Sequence, residues 1–229
     1  MQNRPIGIIG AMQIEIEGLR AAMTDVREER VSGVTFTRGK LEGRDVVCAV
    51  CGVGKVFAAI AAEAMILRYD PCALLNTGVA GGLADGLCVG DVVLADSVVQ
   101  HDMDTSPLGD PVGLLSGLNI VEIPADARLL EVLKASAESL GLNVRVGRIA
   151  TGDQFVASEA QKSRIRAQFG ADACEMEGGA IGHVAHVNGV PFAVLRAISD
   201  GGDGMEFSEF VSLAAARSVS VTKKFVALL

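Results

Sequence analysis

Short apolar runs alternate with segments of helical periodicity along the whole chain. The apolar runs have the length of β-strands and are bounded by turn-forming residues, which predicts strands at 6–10, 34–38, 45–50, 73–77, 91–99, 144–150 and 191–198. Apolar residues at helical spacing predict helices from about residue 13, over 55–69, from 126, from 158, over 178–188 and over 207–229. This alternation predicts an α/β fold, a three-layer αβα sandwich with a central mixed β-sheet.

Two details of the pattern concern one helix and the ends of strands. In the helix over 55–69, Ile60, Ala64 and Leu67 lie on one face. The segment 78–82 follows a predicted strand, and we expect a loop whose glycines let the backbone approach a ligand closely. Ligands of α/β sheets bind at the carboxyl ends of strands. The strand ends to inspect are Gly10, Thr77, Ala150 and Ile198.

The composition indicates one folded domain and excludes several kinds of partner. Half of the 229 residues are apolar, and 27 glycines and 6 prolines are spread without marking a linker, so we expect a single domain over 1–229. The 20 Lys and Arg against 28 Asp and Glu give a net charge of −8, which argues against nucleic acid or an anionic membrane as a partner. No apolar run reaches the roughly 18–20 residues of a membrane span. With no signal peptide recognisable, we expect a cytoplasmic protein.

Three motifs that could indicate a metal or a cofactor are incomplete. Cys48 and Cys51 have the spacing of redox and zinc motifs but lie inside a predicted strand without a second pair, which favours core packing. His183 and His186 could share a helical face, yet no third ligand stands in register. The segment 52–55 lacks the first glycine of a phosphate-binding loop and the hydroxyl residue that follows its lysine. We therefore expect no metal, no cofactor and reduced thiols.

Four carboxylates stand in apolar or glycine-rich surroundings near predicted strand ends: Glu15, Glu175, Glu177 and Asp200. Each of them alone would be an ordinary helix-terminus or surface residue, but solvated charged segments do not have these neighbours. Arg196 stands four residues before Asp200 in a strand of buried character, where an unpaired charge would be costly. A carboxylate or ligand partner for Arg196 is therefore implied.

Seven short motifs are spread over nearly the whole chain. They are Gly7-Ile-Ile-Gly-Ala-Met-x-x-Glu15, Asn76-Thr-Gly-x-Ala-Gly-Gly82, Gly90-Asp-Val-Val93, His101-Asp-x-Asp104, Gly152-Asp-x-Phe155, Glu175-Met-Glu177 and Arg196-Ala-Ile-Ser-Asp200. In order and approximate spacing they resemble the bacterial methylthioadenosine/S-adenosylhomocysteine nucleosidases of the nucleoside phosphorylase superfamily. The resemblance implies a nucleoside phosphorylase-like fold and a cofactor-free hydrolase that cleaves the N-glycosidic bond of both nucleosides to adenine and the corresponding thioribose. It also implies a homodimer with sites completed across the subunit interface.

The resemblance assigns the chemistry to particular residues. Asp200 matches the general acid that delivers a proton to N7 of adenine, with Ser199 helping to orient it. Glu15 matches the general base that activates water, and Arg196 helps to hold this water and the carboxylates beside it. Glu177 matches the residue that accepts hydrogen bonds from the ribose hydroxyls. Carboxyl groups in different protonation states suit this reaction, because adenine must be protonated as it leaves an oxocarbenium-like sugar.

The remaining residues of the expected pocket are assigned to substrate binding in the same way. Phe155 should stack on the adenine ring, and the backbone of Val156 should hydrogen-bond the edge of the base. Met176 should pack beside the ribose. The further pocket residues are Met12, Val79 and Glu175.

A purine nucleoside phosphorylase is the main alternative, because the superfamily contains enzymes that use phosphate where nucleosidases use water. The first strand is followed by Glu15, with no arginine before Arg20, and segment 76–82 carries none, which favours water. The glycines of 78–82 could still form an anion nest. A relative that binds nucleosides without turnover is the second alternative, and the presence of both Glu15 and Asp200 argues against it.

The 5′ substituent of the substrate stays open. Val79 stands where many members of the family have serine, and segment 201–206 is shorter and richer in glycine than usual. Segment 105–117 lacks the aromatic pattern expected where the partner subunit contacts the 5′ tail. Methylthio, homocysteinyl, deoxyadenosyl and aminofutalosine-type tails are all candidates.

Overall fold

The structure, a computed structural model, describes residues 4–200 and 207–229, in which strands and helices alternate. The strands are β1 (Ile6–Gly10), β2 (Thr24–Val31), β3 (Val34–Leu41), β4 (Arg44–Val50), β5 (Ala73–Gly82), β6 (Val92–Gln100), β7 (Glu122–Pro124), β8 (Val144–Thr151), β9 (Ala173–Glu175) and β10 (Phe192–Asp200). The helices are α1 (Gln13–Ala22), α2 (Lys55–Tyr69), α3 (Ala127–Ser139), α4 (Glu159–Phe169), α5 (Gly178–Asn188) and α6 (Phe207–Leu228). The predicted helices over 55–69 and 178–188 are confirmed to the residue.

The sheet separates two layers of helices. Leu19 of α1, Leu133 of α3 and Phe225 of α6 are buried in one core with residues of the sheet. Met65 of α2 and Ile181 of α5 are buried in the other core. This three-layer αβα arrangement confirms the predicted α/β fold. None of the helices in the described ranges combines the length and the hydropathy that crossing a membrane requires.

The topology of the sheet brings several strand ends to one edge. β1 pairs in parallel with β4 and β5, and β5 pairs in parallel with β10, so the carboxyl ends of all four strands point the same way. β10 also pairs with β6 in antiparallel orientation, and the path through β8 and β9 returns to β5. This half of the sheet therefore closes on itself, while β3 and β2 extend its other side.

The prediction of a loop at 78–82 is wrong. Strand β5 continues to Gly82, because Gly78 pairs with Arg196 of β10 and Gly81 pairs with Cys174 of β9. These two neighbours supply backbone hydrogen bonds that local glycine content does not reveal. The segment lies in the sheet and still lines the site described below.

Helix α2 buries a different face from the one that carries Ile60 and Leu67. Ile60 is 38% exposed and Leu67 is 74% exposed, and the buried residues of the helix are Ala58, Ala61, Ala62 and Met65. Three strands were not predicted from the sequence. β2 is exposed along almost its whole length, so it has no alternating apolar face, and β7 and β9 have only three residues each.

Candidate active site

A cavity of about 220 Å³ lies at the edge where β1, β5 and β10 end. All of the predicted site residues except Arg196 line it, namely Met12, Glu15, Val79, Phe155, Val156, Glu175, Met176, Glu177, Ser199 and Asp200. Six further residues that were not predicted also line it, namely Ala11, Val53, Ala80, Gly81, Gln154 and Cys174. Most of these six residues lie inside or beside the seven motifs, so the motifs could have indicated them. Val53 reaches the cavity from the segment before α2.

Glu15 is held at the base of the cavity by backbone N–H groups. Helix α1 starts directly after β1, so this first-turn side chain reaches back to the strand end. Its Oε2 accepts hydrogen bonds from the N–H groups of Ala11 and Met12, both at 2.8 Å, and its Oε1 accepts one from Val79 at 3.0 Å. Burial raises the pKa of Glu15, and the charge of Arg196 and these N–H groups oppose that shift.

Arg196 lies behind the cavity wall with 1% of its surface exposed. Its Nη2 donates hydrogen bonds to Glu175 Oε2 and, at 2.5 Å, to Asn76 Oδ1. The Oε2 atom of Glu177 lies 3.7 Å from the same nitrogen. Glu175 is therefore the carboxylate partner that the sequence implied for Arg196, and the pair is fully buried.

The carboxylate of Glu175 is occupied by groups of the protein itself. Thr151 Oγ1 donates to its Oε1 atom, while the N–H groups of Glu177 and Gly178 donate to Oε2 at 3.0 and 2.7 Å. These bonds fix the turn that leads from β9 into α5. Glu175 thereby sets the position of Glu177, the next carboxylate along the chain.

Glu177 has a mixed electrostatic environment. Its Oε1 accepts a hydrogen bond from the Gly54 N–H at 2.9 Å. Burial and the nearby charge of Glu175 raise the pKa of Glu177 to about 7, against the attraction of Arg196. The side chain therefore changes its charge near neutral pH.

Asp200 ends β10 and forms an ion pair that no sequence motif indicated. Lys162 of α4 donates from Nζ to Asp200 Oδ2 at 2.9 Å, and the same nitrogen lies 3.4 Å from a Glu159 oxygen. The side chain of Lys162 is only 11% exposed. Ser199 donates its hydroxyl to the Ala80 carbonyl at 3.3 Å. Segment 201–206, singled out in the sequence for its glycines, lies outside the described residues.

Most of the rest of the cavity wall is apolar. Met12, Val79 and Met176 are half-buried and Val156 is buried, whereas the ring of Phe155 is 64% exposed. An exposed aromatic ring beside a cavity offers a flat surface on which a planar ligand can stack. The site thus combines carboxylates at its base with an apolar surface beside them.

The chain is similar in sequence to known proteins over almost its whole length. The sequence profile described as the phosphorylase superfamily matches residues 5–227. A 5′-methylthioadenosine/S-adenosylhomocysteine nucleosidase of Haemophilus influenzae is 41% identical over 225 residues, which cover 96% of this chain and 98% of that protein. The chain belongs to this nucleosidase family of the phosphorylase superfamily.

Solved structures of the nucleosidase family and of a related hydrolase confirm the nucleoside phosphorylase-like fold. The nucleosidase of Neisseria meningitidis, solved in complex with methylthio-immucillin-A, has a TM-score of 0.95 and 35% identity, and covers 99% of this chain and 100% of that one. A futalosine hydrolase of Helicobacter pylori has a TM-score of 0.94 and 33% identity, with 99% of both chains covered.

Within the described residues of this nucleosidase-family chain, the His, Cys, Asp and Glu side chains form no group of three or more that could hold a metal ion. Cys48 and Cys51 are free and buried, and burial raises the pKa of both thiols to about 12, which agrees with core packing. His183 Nδ1 lies 3.4 Å from the side-chain nitrogen of Gln100.

Proposed function

We propose that this chain is an N-glycosyl hydrolase that cleaves 5′-methylthioadenosine and S-adenosylhomocysteine to adenine and the corresponding thioribose. The observation that carries the proposal is the Glu15 carboxylate, which occupies backbone donors at the base of the same cavity that Asp200 lines. Cleavage of an N-glycosidic bond needs a proton for the departing base and an activated nucleophile for the sugar. In this cavity Asp200 can supply the proton and Glu15 can activate the nucleophile.

Asp200 is the general acid in this proposal. It delivers a proton to N7 of the purine, so that adenine leaves as a neutral base. Lys162, whose Nζ lies 2.9 Å from the carboxylate, stabilises the anion that remains after this transfer. Ser199 orients Asp200 from the preceding position of β10.

Glu15 is the general base. It takes a proton from the water that attacks the sugar carbon, and burial, which raises its pKa, increases its tendency to accept that proton. Arg196 is a positioning residue, because it is enclosed behind the wall and holds Glu175. Its charge also lies close to Glu177 and keeps this group of carboxylates together.

The nucleoside is bound by the remaining wall residues. Glu177 accepts hydrogen bonds from the ribose hydroxyls, since one carboxylate can receive two donors. Met176 packs beside the ribose, Phe155 stacks on the adenine, and the backbone of Val156 hydrogen-bonds the base edge. The wall is completed by Met12, Val79 and Glu175.

The same geometry favours water over phosphate as the nucleophile. The N–H groups of Ala11, Met12 and Val79 could form an anion site, but all three donate to the Glu15 carboxylate. Arg196 is enclosed and paired with Glu175. A phosphate in this position would meet a carboxylate, and the resulting repulsion disfavours phosphorolysis.

We also propose that the site is completed in a homodimer. Val53, Val56, Phe57 and Ile60, before and on the outer face of α2, are between 38% and 69% exposed. Contiguous apolar surface of this kind is typical of a protein interface. Because Val53 also lines the cavity, a second copy seated on these residues would lie beside the bound nucleoside.

The proposal includes a single domain over 1–229 that acts in the cytoplasm on a free nucleoside. One continuous sheet joins strands from both halves of the chain, which supports a single domain. Free thiols are typical of a reducing compartment. The free cysteines are Cys48, Cys51, Cys72, Cys88 and Cys174.

Adenine release by the purified protein tests the proposal. Methylthioadenosine, S-adenosylhomocysteine and 6-amino-6-deoxyfutalosine are each supplied in phosphate-free buffer and again with phosphate. We expect phosphate-independent release, fastest with the first two substrates. Release only with phosphate would identify a phosphorylase. Preference for the third substrate would support the aminodeoxyfutalosine alternative, for which the similarity to a futalosine hydrolase is the supporting observation. Binding without release would indicate a non-catalytic relative.

A further inference from the structure

Three segments that are distant in sequence form a closed ring of hydrogen bonds beside the cavity. Lys55, at the start of α2, donates from Nζ to Asp102 Oδ1 at 2.7 Å. Asp102, just after β6, accepts from the Asp153 N–H at Oδ2 at 2.8 Å. Asp153, just after β8, accepts from the Lys55 N–H at Oδ1 at 2.7 Å. The ring therefore joins the start of α2 to the ends of β6 and β8.

The ion pair in this ring is sheltered from solvent. The side chains of Lys55 and Asp102 are 19% and 17% exposed. Burial alone would raise the pKa of Asp102, but the Lys55 ammonium and the Asp153 N–H outweigh it and hold that pKa below its usual value. Lys55 Nζ has a second acceptor in Gln100 Oε1 at 3.4 Å. Both charges are therefore satisfied within the protein.

One side of the ring reaches the proposed ribose carboxylate. Gly54 precedes Lys55, and its N–H donates to Glu177 Oε1 at 2.9 Å. Its φ of 103° lies in the region that favours glycine, and an added Cβ would lie 3.0 Å from Asp153 Oδ1. Gly54 is thus held between the ring and Glu177, and its N–H points at the carboxylate.

The other side of the ring reaches the proposed adenine surface. Asp153 is followed directly by Gln154, Phe155 and Val156, all of which line the cavity. The hydrogen bond from the Asp153 N–H to Asp102 holds the backbone just before these three residues in place. None of Lys55, Asp102 and Asp153 lines the cavity.

We propose that Lys55, Asp102 and Asp153 are positioning residues that set the distance between the ribose carboxylate and the adenine-stacking ring. The inference rests on the proposed function of the site. The general acid and the general base lie on other segments, at the ends of β10 and at the start of α1. Loss of the ring should therefore weaken nucleoside binding far more than it slows the chemical step.

Three variants, Lys55→Met, Asp102→Asn and Asp153→Ala, test the proposal. For each we expect KM for methylthioadenosine to rise about tenfold or more, as for a lost hydrogen bond to a charged group, with kcat changed less than about threefold. The dissociation constant of formycin A, a fluorescent nucleoside that is not cleaved, should rise by the same factor as KM. Lys55→Arg should restore much of the affinity, because it keeps the charge.

The matched controls are Lys40→Met and Asp45→Asn, which break an ion pair of 3.1 Å in the β3–β4 hairpin. They should leave KM and the formycin A affinity unchanged. Thermal unfolding by circular dichroism identifies any variant that does not fold, and the conclusion then rests on the other two. An unchanged KM in folded variants, or a loss confined to kcat, would overturn the proposal. If the wild type binds formycin A but releases no adenine, the proposed function fails, while the affinity ratios still decide the role of the ring.

Discussion

Gly78 and Glu15 occupy complementary space at the base of the cavity. A Cβ added to residue 78 would lie 2.9 Å from the Glu15 carboxyl carbon and 3.2 Å from Arg196 Nη1, closer than side-chain carbons ordinarily approach. The next residue, Val79, donates its N–H to Glu15 Oε1 at 3.0 Å. The absence of a side chain at 78 therefore creates the position that the proposed base occupies.

Gly78→Ala should displace the Glu15 carboxylate and lower kcat by about 10²-fold, the cost expected for a catalytic group moved by about 1 Å. Steady-state kinetics with methylthioadenosine measure the effect. Gly82→Ala, on the same strand, is the control, because its Cβ would meet Ile198 at an ordinary 3.5 Å. Equal activity of the two variants would show that Glu15 does not depend on the space at Gly78.

Asp200→Asn should abolish most turnover while preserving nucleoside affinity. An amide has similar shape but has no acidic proton to deliver to N7, so kcat should fall by about 10²- to 10⁴-fold. Single-turnover adenine release and formycin A binding separate the two effects. Near-normal turnover would remove Asp200 as the general acid.

Glu15→Gln should also lose turnover, because an amide does not accept the proton of the attacking water. We expect a loss of kcat of about 10²-fold or more in phosphate-free buffer. The assay is repeated with added phosphate, since the variant removes the negative charge that faces the Ala11 and Met12 N–H groups. Rescue by phosphate would contradict the assignment of water as the only nucleophile that this site supports.

Nucleoside affinity should depend on pH through Glu177. Its pKa is raised from 4.5 to about 7, and the protonated carboxyl is a poorer acceptor for two ribose hydroxyls. The affinity for formycin A should therefore fall as the pH drops below about 7. Because of the raised pKa, the folded protein binds this proton more tightly than the unfolded chain does. The free energy of unfolding should therefore decrease as the pH rises from 4.5 through about 7.

Fluorescence titrations with formycin A between acidic and mildly alkaline pH measure this dependence. Glu177→Gln is the control variant, and it should bind more weakly with a flatter pH profile. A wild-type affinity that stays constant through pH 7 would show that Glu177 does not titrate in contact with the nucleoside.

Lys162→Met should lower kcat for methylthioadenosine. The Lys162 ammonium lies 2.9 Å from Asp200, so without it the carboxylate that remains after proton delivery is less stabilised. Steady-state kinetics measure the effect, and an unchanged kcat would show that Lys162 does not assist Asp200. Lys134→Met, at an exposed position of α3, is the matched control and should leave kcat unchanged.

The sequence by itself determined most of the secondary structure and most of the residues that line the cavity. The sequence predicted α2 and α5 close to their observed bounds, because a helix-ending residue follows each segment. The side chain of Asp126 accepts the Leu129 N–H at 3.0 Å, as expected for the start of α3. The motifs at strand ends marked the residues that line the cavity, since parallel strands bring their carboxyl ends to one edge.

The tertiary structure alone decided how these residues are paired. Strand β5 runs through 78–82 because two neighbours from distant parts of the chain complete its hydrogen bonds. Lys162 meets Asp200 across 38 positions, and Lys55 meets Asp102 across 47. These pairs depend on how whole helices and strands pack against each other, so the residues next to each partner in the sequence do not predict them.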